Sequence, residues 1–105
     1  MSFSHAICHI DDVKPGKSKK IIVDGEEIVL FNVNGEICAI ANVCPHQKFR
    51  KLHEGMFENG IVTCPMHGWA YDVRTGISTN ASGKLKTYKT EVRNGNIFII
   101  DPLNH

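Results

Sequence analysis

Four turn dipeptides constrain the fold of this chain more than any other feature of its sequence. They are Asp24-Gly25, Asn34-Gly35, Asn59-Gly60 and Asn94-Gly95. Asp-Gly and Asn-Gly readily adopt the positive φ angles that a two-residue hairpin turn requires, so each pair predicts two antiparallel strands joined by a tight turn.

The segments that flank these turns read as strands. In order they are residues 19–23 and 27–33, 28–33 and 36–41, 56–58 and 61–64, and 87–93 and 96–101. They are rich in Ile, Val and Phe, which favour strands, and none has a sustained helical period with caps. We therefore predict an all-β chain of roughly eight to ten short strands.

Length and composition place the chain among ordinary globular proteins. Its 105 residues predict one domain, 1–105, and its net charge of +1 gives no sign of nucleic-acid binding. No apolar run approaches the roughly 20 residues of a membrane span. The first residues lack the basic and apolar regions of a signal peptide, so we expect a cytoplasmic protein without membrane contact.

Two short boxes of Cys and His suggest a metal centre. The first box is Cys44-Pro45-His46, and the second box is Cys64-Pro65-Met66-His67-Gly68-Trp69. Two thiolates and two imidazoles suit either zinc or an iron–sulfur cluster. Zinc modules usually present a Cys pair and then a His pair, whereas here the two types alternate. Alternation lets each box send its Cys to one iron and its His to the other, as a [2Fe–2S] cluster with mixed ligands needs.

The two boxes resemble those of the Rieske [2Fe–2S] proteins. The spacing between the boxes, the approach Gly35–Ile40, and the exit through Tyr71-Asp72 and Thr75-Gly76 are also similar. The resemblance implies an antiparallel β sandwich or barrel as a base, with a small cluster-binding subdomain at about residues 42–72. It implies one [2Fe–2S] cluster, in which Cys44 and Cys64 bind the inner iron and His46 and His67 bind the outer iron.

The resemblance also implies a low reduction potential. High-potential relatives have a Ser directly after the Gly of the second box, where this chain has Trp69, and they carry an extra Cys in each loop, which this chain lacks. Tyr71 matches a Tyr that bonds a Cys sulfur in those relatives. We therefore expect a potential toward the negative end of the range for such centres, about −150 to +300 mV.

The remaining Cys and His residues carry no comparable pattern. Cys8 and Cys38 lie in apolar segments, where a free Cys behaves as a small buried hydrophobic residue. Two disulfides in a secreted protein are the alternative for four Cys, and the ligand pattern argues against them. His53 lies in the loop after the first box, which is also basic through Lys48, Arg50 and Lys51. We hypothesise that these charges steer an acidic partner toward the cluster.

A cluster alone takes and gives one electron, and this chain has no room for a second catalytic domain. It is therefore most similar to the Rieske ferredoxins that carry electrons from a flavin-dependent reductase to a terminal oxygenase, and it is not expected to be an enzyme. Three alternatives stay open: a small subunit of a nitrite reductase-like complex, a structural zinc domain with two Cys and two His ligands, and a redox or metal sensor.

Overall fold

The computed structural model describes residues 6–23, 25–42, 56–64, 68–80 and 83–100. These residues form ten strands and one 3-10 turn, Ile10–Asp12. The strands are β1 (Ala6–His9), β2 (Ser18–Val23), β3 (Glu26–Val33), β4 (Glu36–Ala41), β5 (Met56–Glu58), β6 (Ile61–Thr63), β7 (Ala70–Asp72), β8 (Thr87–Tyr88), β9 (Thr90–Arg93) and β10 (Asn96–Ile99). No helix in this part of the chain has the length and apolarity that crossing a bilayer requires.

The four predicted hairpins are present. They join β2 to β3, β3 to β4, β5 to β6 and β9 to β10, and every pair is antiparallel. Asn34, Asn59 and Asn94 have φ between 53° and 55°, and the Gly after each has positive φ as well. Two successive residues at positive φ match the right-handed twist of the strands that they join, which is why Asn-Gly occupies these turns.

A four-stranded sheet, in the order β2-β3-β4-β8, forms the middle layer. Its strand β3 is buried on both faces: Val29, Phe31 and Val33 belong to one apolar core, and Ile28 and Leu30 belong to the other. This double burial explains why β3 carries a continuous apolar run, whereas a strand with one solvated face alternates apolar and polar residues.

Two three-stranded sheets cover the faces of the middle layer. The sheet β1-β10-β9 contributes Ile97 and Ile99 to the core that contains Ile28 and Leu30. The sheet β5-β6-β7 contributes Val62 and Tyr71 to the core that contains Phe31. Phe57 of β5 packs on Phe31 with ring centroids 4.6 Å apart. The predicted all-β antiparallel sandwich is thereby confirmed.

The prediction of one strand over residues 87–93 is wrong. Residues 87–88 pair with β4 as β8, whereas residues 90–93 pair with β10 as β9. The chain changes sheet at Lys89, whose carbonyl accepts a hydrogen bond from Ile100 N at 3.1 Å. The strands predicted over 61–64 and 96–101 end early, at Thr63 and Ile99.

The predicted cluster-binding subdomain lies partly outside the described residues and stays a prediction. Its described part, residues 56–64 and 68–72, contains the sheet β5-β6-β7. This sheet shares one apolar core with the middle layer, so the two cannot be separated without exposing that core.

Candidate metal centre

The structure describes one of the four predicted ligands. Cys64 follows β6 directly, whereas Cys44, His46 and His67 lie outside the described residues. His53 and the basic residues Lys48, Arg50 and Lys51 lie outside them too. Within the part of the chain that is described, no three His, Cys, Asp or Glu side chains come together as a metal site.

Cys64 is fully buried and forms no disulfide. It belongs to the core that the middle layer shares with the sheet β5-β6-β7, together with Val62 and Tyr71. A thiol in such a place is shielded from water and from oxidants in solution. Because thiolates suit both zinc and iron–sulfur clusters, Cys64 fits a ligand of a metal centre at the start of the second box.

Two backbone hydrogen bonds between the described residues of the second box define a turn in the chain. Gly68 N donates to Cys64 O at 3.0 Å, and Cys64 N donates to Trp69 O at 2.7 Å. Gly68 has a φ of +73°, which costs a residue with a Cβ about 1–2 kcal/mol. The turn therefore explains why Gly follows the second His of the motif.

The segment 78–80 lies against the exit from this turn. Ser78 Oγ and Thr79 N both donate to Ala70 O, at 3.0 and 2.9 Å. The Asn80 side chain accepts a hydrogen bond from Ala70 N at 2.9 Å and donates one to Gly68 O at 3.0 Å. Asn80 is absent from the sequence predictions, because no local pattern marks a side chain that bonds residues ten and twelve positions away.

Asn42 fixes the chain just before the first box through hydrogen bonds to Glu27. This residue is also absent from the sequence predictions. Asn42 follows β4, precedes Cys44 by two positions and is fully buried. Its backbone N donates to Glu27 O at 3.0 Å, and its side-chain amide donates to Glu27 Oε1 at 3.2 Å. Ala41 N donates to Lys86 O at 2.9 Å. These bonds fix the point from which the first box departs.

Trp69 ends the second box, Tyr71 follows it by two positions, and both side chains pack in or against the core that contains Cys64. Tyr71 is fully buried, in register with Val62 on β6, and belongs to the same core as Cys64. Trp69 is partly buried and packs on that core. Both side chains therefore keep the surroundings of Cys64 apolar.

The other two described cysteines differ from Cys64 in position. Cys38 lies within β4 and Cys8 within β1, and both are free. Burial, followed by the charge of Glu36, raises the pKa of Cys38 to about 11. Burial and then the charge of Asp12 raise the pKa of Cys8. Both thiols stay protonated near neutral pH, as expected for core residues.

Comparison with known proteins identifies the family that these features fit. The family model described as "Rieske [2Fe-2S] domain" matches residues 3–89. The ferredoxin component of the naphthalene 1,2-dioxygenase/salicylate 5-hydroxylase systems of Ralstonia sp. is 34% identical over 92 residues, which cover 86% of this chain and 88% of the relative. The 3-phenylpropionate/cinnamic acid dioxygenase ferredoxin subunit of Photorhabdus laumondii is 33% identical over 96 residues, which cover 89% and 90% of the two chains.

Solved structures with the same fold include ferredoxins. The ferredoxin of carbazole 1,9a-dioxygenase from Nocardioides aromaticivorans superposes with a TM-score of 0.83 at 28% identity, covering 90% of this chain and 94% of that one. A small subunit of an NADH-dependent nitrite reductase from Mycobacterium tuberculosis superposes with a TM-score of 0.86 at 20% identity, covering 99% of each chain. At that identity the second likeness concerns the fold alone.

Proposed function

The chain belongs to the Rieske [2Fe–2S] domain family, and from this premise we propose that it is the ferredoxin of an oxygenase system. One [2Fe–2S] cluster is the cofactor of such a domain, and it supplies the uptake and release of a single electron. The observation that carries the proposal is the family match over residues 3–89, together with relatives named as ferredoxin components of dioxygenase systems.

Four residues hold the cluster in this proposal. Cys44 and Cys64 provide thiolates to one iron, and His46 and His67 provide neutral imidazoles to the other. Two observations support this assignment: the alternating order of Cys and His in the boxes, and the full burial of Cys64 at the start of the second box. Thiolate ligands and a dry, apolar wall suit an inner iron.

The surroundings of the second box support a low potential. Trp69 occupies the position after Gly68, so no hydroxyl side chain is available there to donate a hydrogen bond to the cluster. Hydrogen bonds to the sulfurs are one of the factors that raise the potential of such clusters. The value therefore lies toward the negative end of about −150 to +300 mV.

The partners are a flavin-dependent reductase that supplies the electron and a terminal oxygenase that accepts it. The names of the relatives support an oxygenase partner, because a ferredoxin component of a dioxygenase system delivers electrons to that dioxygenase. The protein itself is a carrier with no catalytic site, working in the cytoplasm. The nitrite reductase subunit is not favoured, because the similarity to that subunit is one of fold alone. The zinc domain is not favoured, because the family model that matches this chain is that of a [2Fe–2S] domain.

The test is spectroscopic and uses protein purified without oxygen. An optical spectrum is recorded, and the dithionite-reduced protein is then examined by electron paramagnetic resonance at low temperature. We expect a red-brown protein with a rhombic signal, which mixed Cys and His ligation produces. A colourless protein that contains one zinc and gives no signal would overturn the proposal.

A second assay addresses the partners. The reduced protein is mixed with a purified terminal oxygenase of an aromatic dioxygenase system, and product is measured in single turnover. Product formation in proportion to the reduced protein supports the ferredoxin role. If oxidised protein gives as much product as reduced protein, the role as electron donor is wrong.

A further inference from the structure

We propose that Asn80 is a positioning residue for the second box: its side-chain amide fixes the backbone at Gly68 and Ala70 and so fixes the place of the adjoining ligand His67. This inference rests on the proposed function, since it assigns Asn80 a role toward the cluster. The inference assigns a role to the polar segment 78–80, which has no role in the proposed function.

The geometry of the Asn80 amide carries the proposal. Its nitrogen donates to Gly68 O at 3.0 Å, and its oxygen accepts from Ala70 N at 2.9 Å. These two backbone groups belong to residues on either side of Trp69. An uncharged amide can donate and accept at once, so a single side chain bridges the two peptide groups on either side of Trp69.

Neighbouring bonds hold Asn80 in place. Asn80 N donates to Ser78 Oγ at 3.4 Å, and Ser78 Oγ donates to Ala70 O at 3.0 Å. Thr79 N donates to the same carbonyl at 2.9 Å. The segment 78–80 therefore uses both backbone groups of Ala70, and it approaches the exit of the box as one unit.

The two hydrogen bonds of the Asn80 side chain, which we call the clamp, restrain Gly68, the residue of this turn with the greatest backbone freedom. Gly68 has no side chain to pack, and Gly samples more backbone conformations than any other residue. On the other side of the turn, Gly68 N is bonded to Cys64 O. With Asn80 on its carbonyl, Gly68 is held at both ends. Because Gly68 is joined directly to His67, a change in its backbone angles must move that ligand.

Because the clamp is exposed, its effect on the position of the ligand can be distinguished from its effect on the stability of the fold. Asn80 and Gly68 are exposed, so water replaces the Asn80 bond to Gly68 O when the amide is removed. Such a hydrogen bond contributes little to global stability. Loss of the bond to Gly68 O should therefore change the cluster signal much more than the unfolding of the chain.

The test compares three variants of the cluster-loaded protein. Asn80→Ala removes both hydrogen bonds. Asn80→Asp keeps an acceptor for Ala70 N but loses the donor and sets a carboxylate against Gly68 O. Thr79→Ala is the matched control, because its backbone N, and not its side chain, makes the bond to Ala70 O.

Two quantities are measured on each variant: the g values of the reduced protein by electron paramagnetic resonance, and the rate at which visible absorbance bleaches with an iron chelator. For Asn80→Ala and Asn80→Asp we expect shifted or broadened g values and bleaching about tenfold faster, the factor that corresponds to one or two hydrogen bonds. Thr79→Ala should match the unaltered protein in both.

Each outcome decides the proposal. Unaltered g values and bleaching rates in Asn80→Ala or in Asn80→Asp would overturn it, as would equal changes in Thr79→Ala. If Asn80→Ala does not fold, the isosteric Asn80→Asp supplies the result. Failure of the proposed function is distinguishable, since the unaltered protein would then lack the rhombic signal before any variant is compared.

Discussion

Cys64 and Cys38 lie in one apolar core, yet they occupy different places in the chain. Cys38 lies within β4, where its neighbours are strand residues. Cys64 begins the turn that Gly68 closes. At the scale of single residues, the position next to a turn sets Cys64, the proposed metal ligand, apart from Cys38, a buried strand residue.

Replacement of these two cysteines should separate their roles. Cys64→Ala removes a thiolate from the proposed cluster, so we expect a colourless protein with iron at background level. Cys38→Ala should retain the iron content and the spectrum of the unaltered protein. Iron analysis and optical spectra of both purified variants provide the measurement. Equal loss of iron in the two would show that damage to the core, and not loss of a ligand, explains the result.

The protonation of Cys38 predicts a second difference. Burial raises its pKa from 9.0 to about 11, and only the thiolate reacts with iodoacetamide. We expect little alkylation of Cys38 in the folded protein at pH 9, and a rise as the pH approaches 11. Mass spectrometry of the labelled peptide over a pH series provides the measurement. Full labelling at pH 8 without unfolding would contradict it.

The same shift in pKa makes the fold sensitive to alkali. The unfolded chain releases the Cys38 proton near pH 9.0, whereas the folded chain keeps it until about pH 11. The contribution of Cys38 to stability is therefore complete below pH 9 and is lost as the pH rises through this window. Cys38→Ala should remove this part of the pH dependence in urea unfolding.

The sequence identified Cys64 but not Asn80 or Asn42. The four ligands could be predicted because a metal fixes the types and spacing of residues within each box. Asn80 bonds Gly68 and Ala70 across ten or more positions, and Asn42 bonds Glu27 across fifteen. Such partners depend on how strands are placed in space, and an isolated Asn in a polar loop does not reveal them.

At the scale of strands and turns, the features that local sequence predicts correctly are those that the conformational preferences of neighbouring residues determine. The four hairpins follow from Asn-Gly and Asp-Gly, and their strand boundaries are correct to within one or two residues except for the strand predicted over 87–93. The break at Lys89 was missed, because this residue carries no turn signal. It arises from pairing of β8 with β4 and of β9 with β10, which are contacts between distant parts of the chain.

Gly76, which lies in the segment after β7, provides a test of the steric constraints on a residue with positive φ. Its φ is +81°, and a Cβ there would meet the backbone carbonyl oxygen of Leu85 and lie 3.0 Å from Thr87 Cγ2. We expect Gly76→Ala to lower the free energy of unfolding by about 2–4 kcal/mol, because strain at positive φ adds to a collision with backbone.

Gly35→Ala is the matched control for this substitution. Gly35 also has positive φ, at +97°, but a Cβ there would meet nothing within 4 Å. It should cost only the strain of about 1–2 kcal/mol. Urea unfolding of both variants measures the difference. Equal losses would mean that the contact with Leu85 has no effect on stability.

At the scale of the whole molecule, charge near the first box should govern the rate of electron transfer. The net charge is only +1, but Lys48, Arg50 and Lys51 are concentrated in the loop that follows Cys44 and His46. Exchange of Lys48 and Arg50 for Glu should slow reduction by the reductase at low salt and flatten its dependence on ionic strength. Stopped-flow reduction over a series of salt concentrations provides the measurement.

A control variant keeps the same change in net charge. Lys19 and Lys20 are exposed residues of β2, and their exchange for Glu should leave reduction close to that of the unaltered protein. If both double variants slow reduction equally, overall charge rather than the loop is responsible. If neither does, steering by the loop is wrong.

The core shared by the middle layer and the sheet β5-β6-β7 links metal binding to the stability of the folded protein in the cell. Cys64 packs in the same core as Phe31, so within the described residues the sheet β5-β6-β7 cannot unfold without exposing the core of the middle layer. A ligand that binds only the folded chain raises its stability by mass action. In an iron-starved cell, less of the protein would persist folded, and more would be degraded. Iron supply would then set the abundance of this carrier, and with it the electron flow to its oxygenase, without a dedicated regulator.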